Sequence, residues 1–223
     1  MKANLTTIAA AMIICAAGAL AETAEPAIAD SRISVFEVPL VCPAAPEIGC
    51  GSRSKPILLE LEKQNSVAEA WLNRQGTLLA IVWQSEAKRK ARNASLKLVM
   101  KRQELDARQL EGAERKKALA DFPSAKEWLR GSDVDRLSEE EARIMGGRVV
   151  RKIGGLVTLT NEQTKELQEQ IATVFKLRLT GQLPEGSSPR EEILKVIRKT
   201  LNEKDVKLLQ EALKDYRPGR DVP

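Results

Sequence analysis

Apolar and polar positions alternate through Ile33 to Val41 (ISVFEVPLV), rich in β-branched residues, and predict a strand that carries Pro39 near its end. Pro43, Pro46 and Gly49 then predict a loop between Cys42 and Cys50. From Gly51 the spacing becomes helical. Ser52 or Ser54 can cap, Pro56 suits a first turn, and Ile57, Leu58 and Leu61 share one side. Val67 to Asn73 and Thr77 to Trp83 are apolar runs separated by Arg74-Gln75-Gly76, the length of a tight hairpin with Gly supplying a positive φ. Residues 33–83 therefore spell strand, helix, strand, strand.

After Trp83 the pattern turns polar and predicts one long basic helix within 84–130, running from about Ser85 to Asp121 with Gly112 as its only breaker. Its apolar stripe (Ala91, Leu98, Leu105, Leu119) is too narrow for a coiled coil. Three later helices are expected to begin at Ser138, Thr160 and Asn202, each preceded by a Leu and followed three residues on by an acid or amide. On that reading Glu139, Glu140 and Glu141 form a negative first turn facing the helix dipole. Gly154-Gly155 breaks the chain, and Leu156 to Leu159 reads as one short closing strand within 131–160. Leu167, Ile171, Val174 and Phe175, with Ile193, Leu194, Ile197 and Leu209, predict a packed helical region over 161–217.

The chain has 223 residues and a net charge of +5, without a single His. Ser-His-Asp triads, Cys-His pairs and His-based zinc or haem sites are thereby excluded, and no convergent acid-base set points to an enzyme. Aromatic residues are 3% and charged residues 30%, the balance of a helix-rich chain with a thin core. Met1 to Ala21 combines Lys2, an apolar stretch from Ile8 to Leu20 and a terminal Ala19-Leu20-Ala21. It reads as a signal peptide cleaved near Ala21, before a leader over 22–32. A periplasmic or secreted protein is expected, with Cys15 removed and Cys42 and Cys50 retained.

Those two thiols are the candidate chemistry. Sulfur donors suit a soft ion such as Cu(I) or Hg(II), and a helix N-terminus favours the anionic form. An oxidising compartment and an even cysteine count equally suit a disulfide, which would stabilise by roughly 2 to 3 kcal/mol in the loop-entropy model. A reversible bond would reconcile the two. Lys88, Arg89, Lys90, Arg92, Lys97, Lys101 and Arg102 form a second candidate, a basic block without an acid. It suits a solvated helix face, a protein partner or an anionic membrane surface. Nucleic acid is not expected, because no aromatic stacking residue stands in the block. Oligomeric state has no signature here.

The segment Ser34 to Trp83 resembles the heavy-metal-associated domain of mercury and copper carriers. In that family a first strand leads to a Met-x-Cys-x-x-Cys loop at the mouth of a helix, followed by two hairpin-connected strands. Ile48-Gly49-Cys50-Gly51-Ser52-Arg53 occupies the place of the loop, with Ile48 at the Met position and Arg53 at that of the second thiol. The resemblance implies a ferredoxin-like fold and a soft-metal site that includes Cys50. Its second helix and last strand would come from Ser138 to Lys152 and Leu156 to Leu159. The expected fold is thus α+β, a small ferredoxin-like sheet unit with a long helical insertion and a helical C-terminal half. The expected function is non-catalytic, either binding a soft ion or cycling a thiol pair, or else that of a disulfide-stapled interaction protein.

Overall fold

The computed structural model describes residues 29–124 and 126–215 and shows an α+β protein. The expected signal peptide with Cys15, and most of the expected leader, lie outside the described residues. Strand β1 (Ile33–Glu37) is followed by the short strands β2 (Val41–Cys42) and β3 (Ala45–Gly49), then helix α1 (Gly51–Glu62). The stretch between the cysteines is therefore not an open loop. Pro43 and Ala44 turn the chain, and β2 and β3 pair antiparallel with an irregularity that sets Val41 against Gly49 and Cys42 against Ala45. Pro46 is compatible with this two-stranded ribbon, where a missing N–H is tolerated.

Strands β4 (Val67–Asn73) and β5 (Leu78–Trp83) form the expected hairpin, with φ at Gly76 equal to 75°. The long basic helix does not form. Helix α2 (Arg89–Arg102) stops at Gln103, Glu104 turns the backbone with φ 47°, and Arg108–Leu110 becomes strand β6, paired with β1. The open edge of β1 offers a row of hydrogen bonds, and tertiary pairing overrides local helix preference there. Gly112, at φ 50°, opens the short helix α3 (Gly112–Ala118), and strand β7 (Trp128–Arg130) adds to β4.

The sheet order is β6-β1-β5-β4-β7, with every pairing antiparallel. The units β1-α1-β4 and β5-α2-β6 interleave, which is the connectivity of a split β-α-β arrangement. The second helix and last strand of that connectivity are α2 and β6, which follow the hairpin directly, so the expected long helical insertion is absent and Ser138 to Lys152 and Leu156 to Leu159 do not supply them. Leu156–Leu159 forms no strand. Its first residues instead bond back to the carbonyl of Ile153 as a helix ending.

Both sheet faces are covered. Leu79, Ile81 and Trp83 of β5 pack with Ile57, Leu58 and Leu61 of α1 and Val99 of α2. Ala80 and Val82 face the opposite way, toward Leu110, Trp128, Leu119 and Phe122. This is the period-2 alternation of a strand buried on two sides.

The C-terminal half consists of α4 (Asp135–Gly154), α5 (Asn161–Leu179), α6 (Pro189–Thr200) and α7 (Glu203–Ala212), packed around Val149, Ile153, Leu167, Ile171, Ile197 and Leu209. Thr160 closes a capping box with Gln163, and Asn202 caps α7 by accepting from the Asp205 N–H. Ser188 makes another capping box with Glu191, in a stretch whose Gly and Pro content masks the signal. Ser138 does not cap. Helix α4 begins three residues earlier, so Ser138 lies inside it and is buried against α1.

That contact is close. A Cβ on Gly51 would meet the Val134 carbonyl oxygen and the Ser138 nitrogen at 2.8 Å, both backbone atoms. Gly51→Ala is expected to destabilise the protein by about 1 to 3 kcal/mol, because the crowding cannot be relieved by a rotamer change. Urea denaturation followed by tryptophan fluorescence measures the loss, and an unchanged midpoint would contradict the packing described.

Candidate functional site

Three backbone segments converge at the mouth of α1. The β4–β5 turn holds the segment leading into the ribbon from one side: the Leu40 N–H donates to the Gly76 carbonyl at 3.0 Å and the Gly49 N–H to Arg74 at 2.7 Å. The Cys50 N–H donates to the Leu40 carbonyl at 2.7 Å, so the chain enters α1 tied to the strand that carries Cys42. Only Gly fits at position 76, whose hypothetical Cβ would strike the Leu40 carbonyl.

Cys42 and Cys50 are both free thiols that border the same apolar cluster, and they do not stand at disulfide-bonding distance. Cys42 is fully buried among Ile48, Leu137 and their neighbours, whereas Cys50 is half-buried at the cap position of α1. Cys50 Sγ lies 3.5 Å from Ser52 Oγ. Arg53, where the resemblance would place a second thiol, donates instead to the Pro39 carbonyl at 3.1 Å. No acid stands in the first turn of α1 to oppose a negative sulfur.

The third member is Glu141, on α4. It is 5% exposed, and its Oε2 is a buried oxygen without a hydrogen-bond partner. Burial acts on it first, and the nearby Cys42 and Cys50 thiols after that. The expected role for Glu141, an exposed acid in a first turn, is therefore overturned. Because α4 begins at Asp135, Glu141 falls on the face that also carries Leu137 and Ser138 and packs against α1 and the ribbon. Sequence reasoning missed it, although an acid in phase with Leu137 and Met145 on an otherwise apolar stripe was the available signal.

The environments of the thiols are unequal. The nearby Cys42 thiol lowers Cys50 from 9.0 to about 5, helped by Ser52 and by the backbone N–H and charge of Arg53. Cys42 is pushed the other way by the same contact with Cys50, then by burial and by the Glu141 charge. Desolvation raises Glu141 above the usual carboxylate range. Such a site favours one negative sulfur at the helix end and a protonated sulfur behind it.

No group of three or more Cys, Asp or Glu side chains is arranged to hold a metal ion among the described residues. The basic block is divided. Lys88 stands at the cap position of α2 without a side-chain cap and, with Arg89, Lys90, Lys97 and Lys101, is exposed. Arg92 instead lies 5.8 Å from the Trp83 ring and donates to Ala87, while Arg102 pairs with Glu60 at 3.1 Å. A cleft of about 490 Å³ lies elsewhere, where Arg108 already pairs with Glu37 and Glu114. The chain matches no protein-family model, no curated protein and no solved structure.

In the fully reduced protein, iodoacetamide is expected to modify Cys50 first, with a rate half-maximal near pH 5, while Cys42 stays unmodified until the protein unfolds. Peptide mapping after timed alkylation at pH 4 to 9 reads both sites. Equal rates, or a half-maximal point near that of an ordinary thiol, would remove the asymmetry.

Proposed function

We propose that this is an exported, non-hydrolytic thiol-pair protein in which Cys42 and Cys50 cycle between a dithiol and a disulfide by exchange with a disulfide-bearing partner. The observation that carries the reading is the pairing of two unequal thiols, one half-buried and acidic at a helix N-terminus, the other buried behind it. Thiol–disulfide exchange needs that division of labour. The accessible thiolate attacks and the neighbouring thiol resolves the mixed disulfide. The export pattern of Met1 to Ala21 supports an oxidising setting for the exchange.

The split β-α-β connectivity, with Cys50 at the mouth of α1, supports the ferredoxin-like resemblance as far as the fold is concerned. The soft-ion chemistry implied by that resemblance fits the site less well. An ion bridging two sulfurs asks Cys42 to become a thiolate in a buried position beside a carboxyl group. A disulfide leaves both sulfurs neutral, and a neutral product suits a desolvated site.

Reduced protein titrated with oxidised glutathione is expected to lose both thiols and two hydrogens in mass, with Cys42 and Cys50 joined in one cross-linked peptide. Cys50→Ser should leave Cys42 reduced under the same conditions. Two thiols still countable at high oxidant would defeat the proposal. If that result were joined by stoichiometric uptake of Hg(II), the heavy-metal-associated function would replace it.

A further inference from the structure

Exchange at this site ends when Cys42, an S–H group inside the core, attacks the sulfur of Cys50. That proton must leave before or as the bond forms, and water does not reach a fully buried sulfur. Glu141 is the buried oxygen acid on hand. It is 95% removed from solvent, one carboxylate oxygen lacks any hydrogen-bond partner, and the helix face it shares with Leu137 packs into the cluster that holds Cys42 and borders Cys50. An unpartnered oxygen in a native core is unusual, since nearly all buried polar atoms are satisfied.

We propose that Glu141 accepts the Cys42 proton in the step that closes the Cys42–Cys50 bond. This deepens the thiol-pair reading and rests on it. With an external disulfide R–S–S–R, the Cys50 thiolate first displaces one RS⁻ and forms the mixed disulfide Cys50–S–S–R. Cys42 then gives its proton to the Glu141 carboxylate while its sulfur attacks Cys50 Sγ. The Cys50–S–R bond breaks and its electron pair leaves with the second RS⁻. The products are the Cys42–Cys50 disulfide, protonated Glu141 and RS⁻, which takes a proton from water. The two cysteines lose two electrons and the external disulfide gains them.

The placement of neighbouring charges suits this transfer. The charged groups on the surrounding elements are engaged elsewhere or exposed. Arg53 of α1 donates to the Pro39 carbonyl, Lys55 pairs with Asp135, and Arg148 of α4 donates to the Ala44 carbonyl. Arg74 of the β4–β5 turn pairs with Glu140, Lys176 of α5 takes Glu139, and Glu47 of β3 is exposed. None of these forms a salt bridge with Glu141, so its carboxylate is free to take up a proton. Burial raises its affinity for protons above that of an exposed carboxylate.

The test uses reduced full-length protein mixed with oxidised glutathione, quenched with acid at intervals and weighed by mass spectrometry. This separates formation of the glutathione adduct at Cys50 from closure of the internal disulfide. Glu141→Gln is expected to form the adduct within about twofold of the wild-type rate and to close on the order of 10²-fold more slowly. Wild-type closure should rise with ionisation of a carboxyl group and then level off, whereas closure in the variant should climb about tenfold per pH unit with thiol ionisation.

A Gln variant that closes at the wild-type rate across pH would overturn the proposal and leave the thiol-pair reading standing. Equal slowing of both steps would also overturn it, by showing a structural role. Should the variant fold poorly, the wild-type pH profile decides, and a closure rate that climbs through the ordinary thiol range rejects Glu141. Wild-type protein that never closes would remove the thiol-pair reading itself.

Discussion

No side chain other than hydrogen fits at position 51, and the architecture of the site depends on that restriction. The first residue of α1 lies against the backbone of Val134 and Ser138, so a helix that starts near residue 51 meets one that starts more than eighty residues later. Close-packed interiors leave little slack for such an approach, and a methyl group would separate the two helices. Cys50 immediately precedes Gly51 and Glu141 follows Ser138 by one turn. Their proximity is therefore inherited from a backbone contact and not from any attraction between them.

Helix α4 joins the two halves of the protein. Leu137 near its start belongs to the core under the sheet, and Val149, Val150 and Ile153 near its end belong to the core of α5, α6 and α7. Gly146, between them, lets α4 and α5 approach until its Cβ position is 3.0 Å from the Ala172 nitrogen. Lys55–Asp135 and Arg74–Glu140 add ion pairs around the same seam, but both are about one-third or more exposed, and such pairs contribute little. Apolar packing holds α4 in place, and the phase that packing sets decides which of its carboxylates turns inward.

Cys42 and Glu141 are buried and Cys50 is half-buried beside them, and three ionisable groups so placed cannot all be charged. Like charges at short range and missing hydration both favour keeping a proton in the cluster, which therefore titrates as a unit. The helix N-terminus and Arg53 draw the negative charge to Cys50, on the solvent side, and leave the proton with Cys42 inside. Reactivity outside and proton storage inside follow from where each group stands.

Much of this was legible without coordinates. The alternation through Ile33 to Glu37, the Gly76 hairpin, the Thr160 and Asn202 caps and the start of α1 next to Cys50 all rest on neighbours a few residues apart, which local propensity and spacing describe. The basic stretch after Arg102 misleads because its residues are good helix formers, yet Arg108–Leu110 lies beside an open strand edge contributed by residues seventy positions earlier. Glu141 was hidden for the same reason. In the run Glu139-Glu140-Glu141 every residue looks alike to its neighbours, and only the docking of α4 on α1 turns the third toward two sulfurs nearly a hundred residues away. Sequence by itself determined β1, α1, the β4–β5 hairpin, the capped starts of α5 and α7, and the position of Cys50. Tertiary structure alone decided the order of the sheet and the acid beside the thiols, because burial depends on contacts between segments that sequence spacing does not encode.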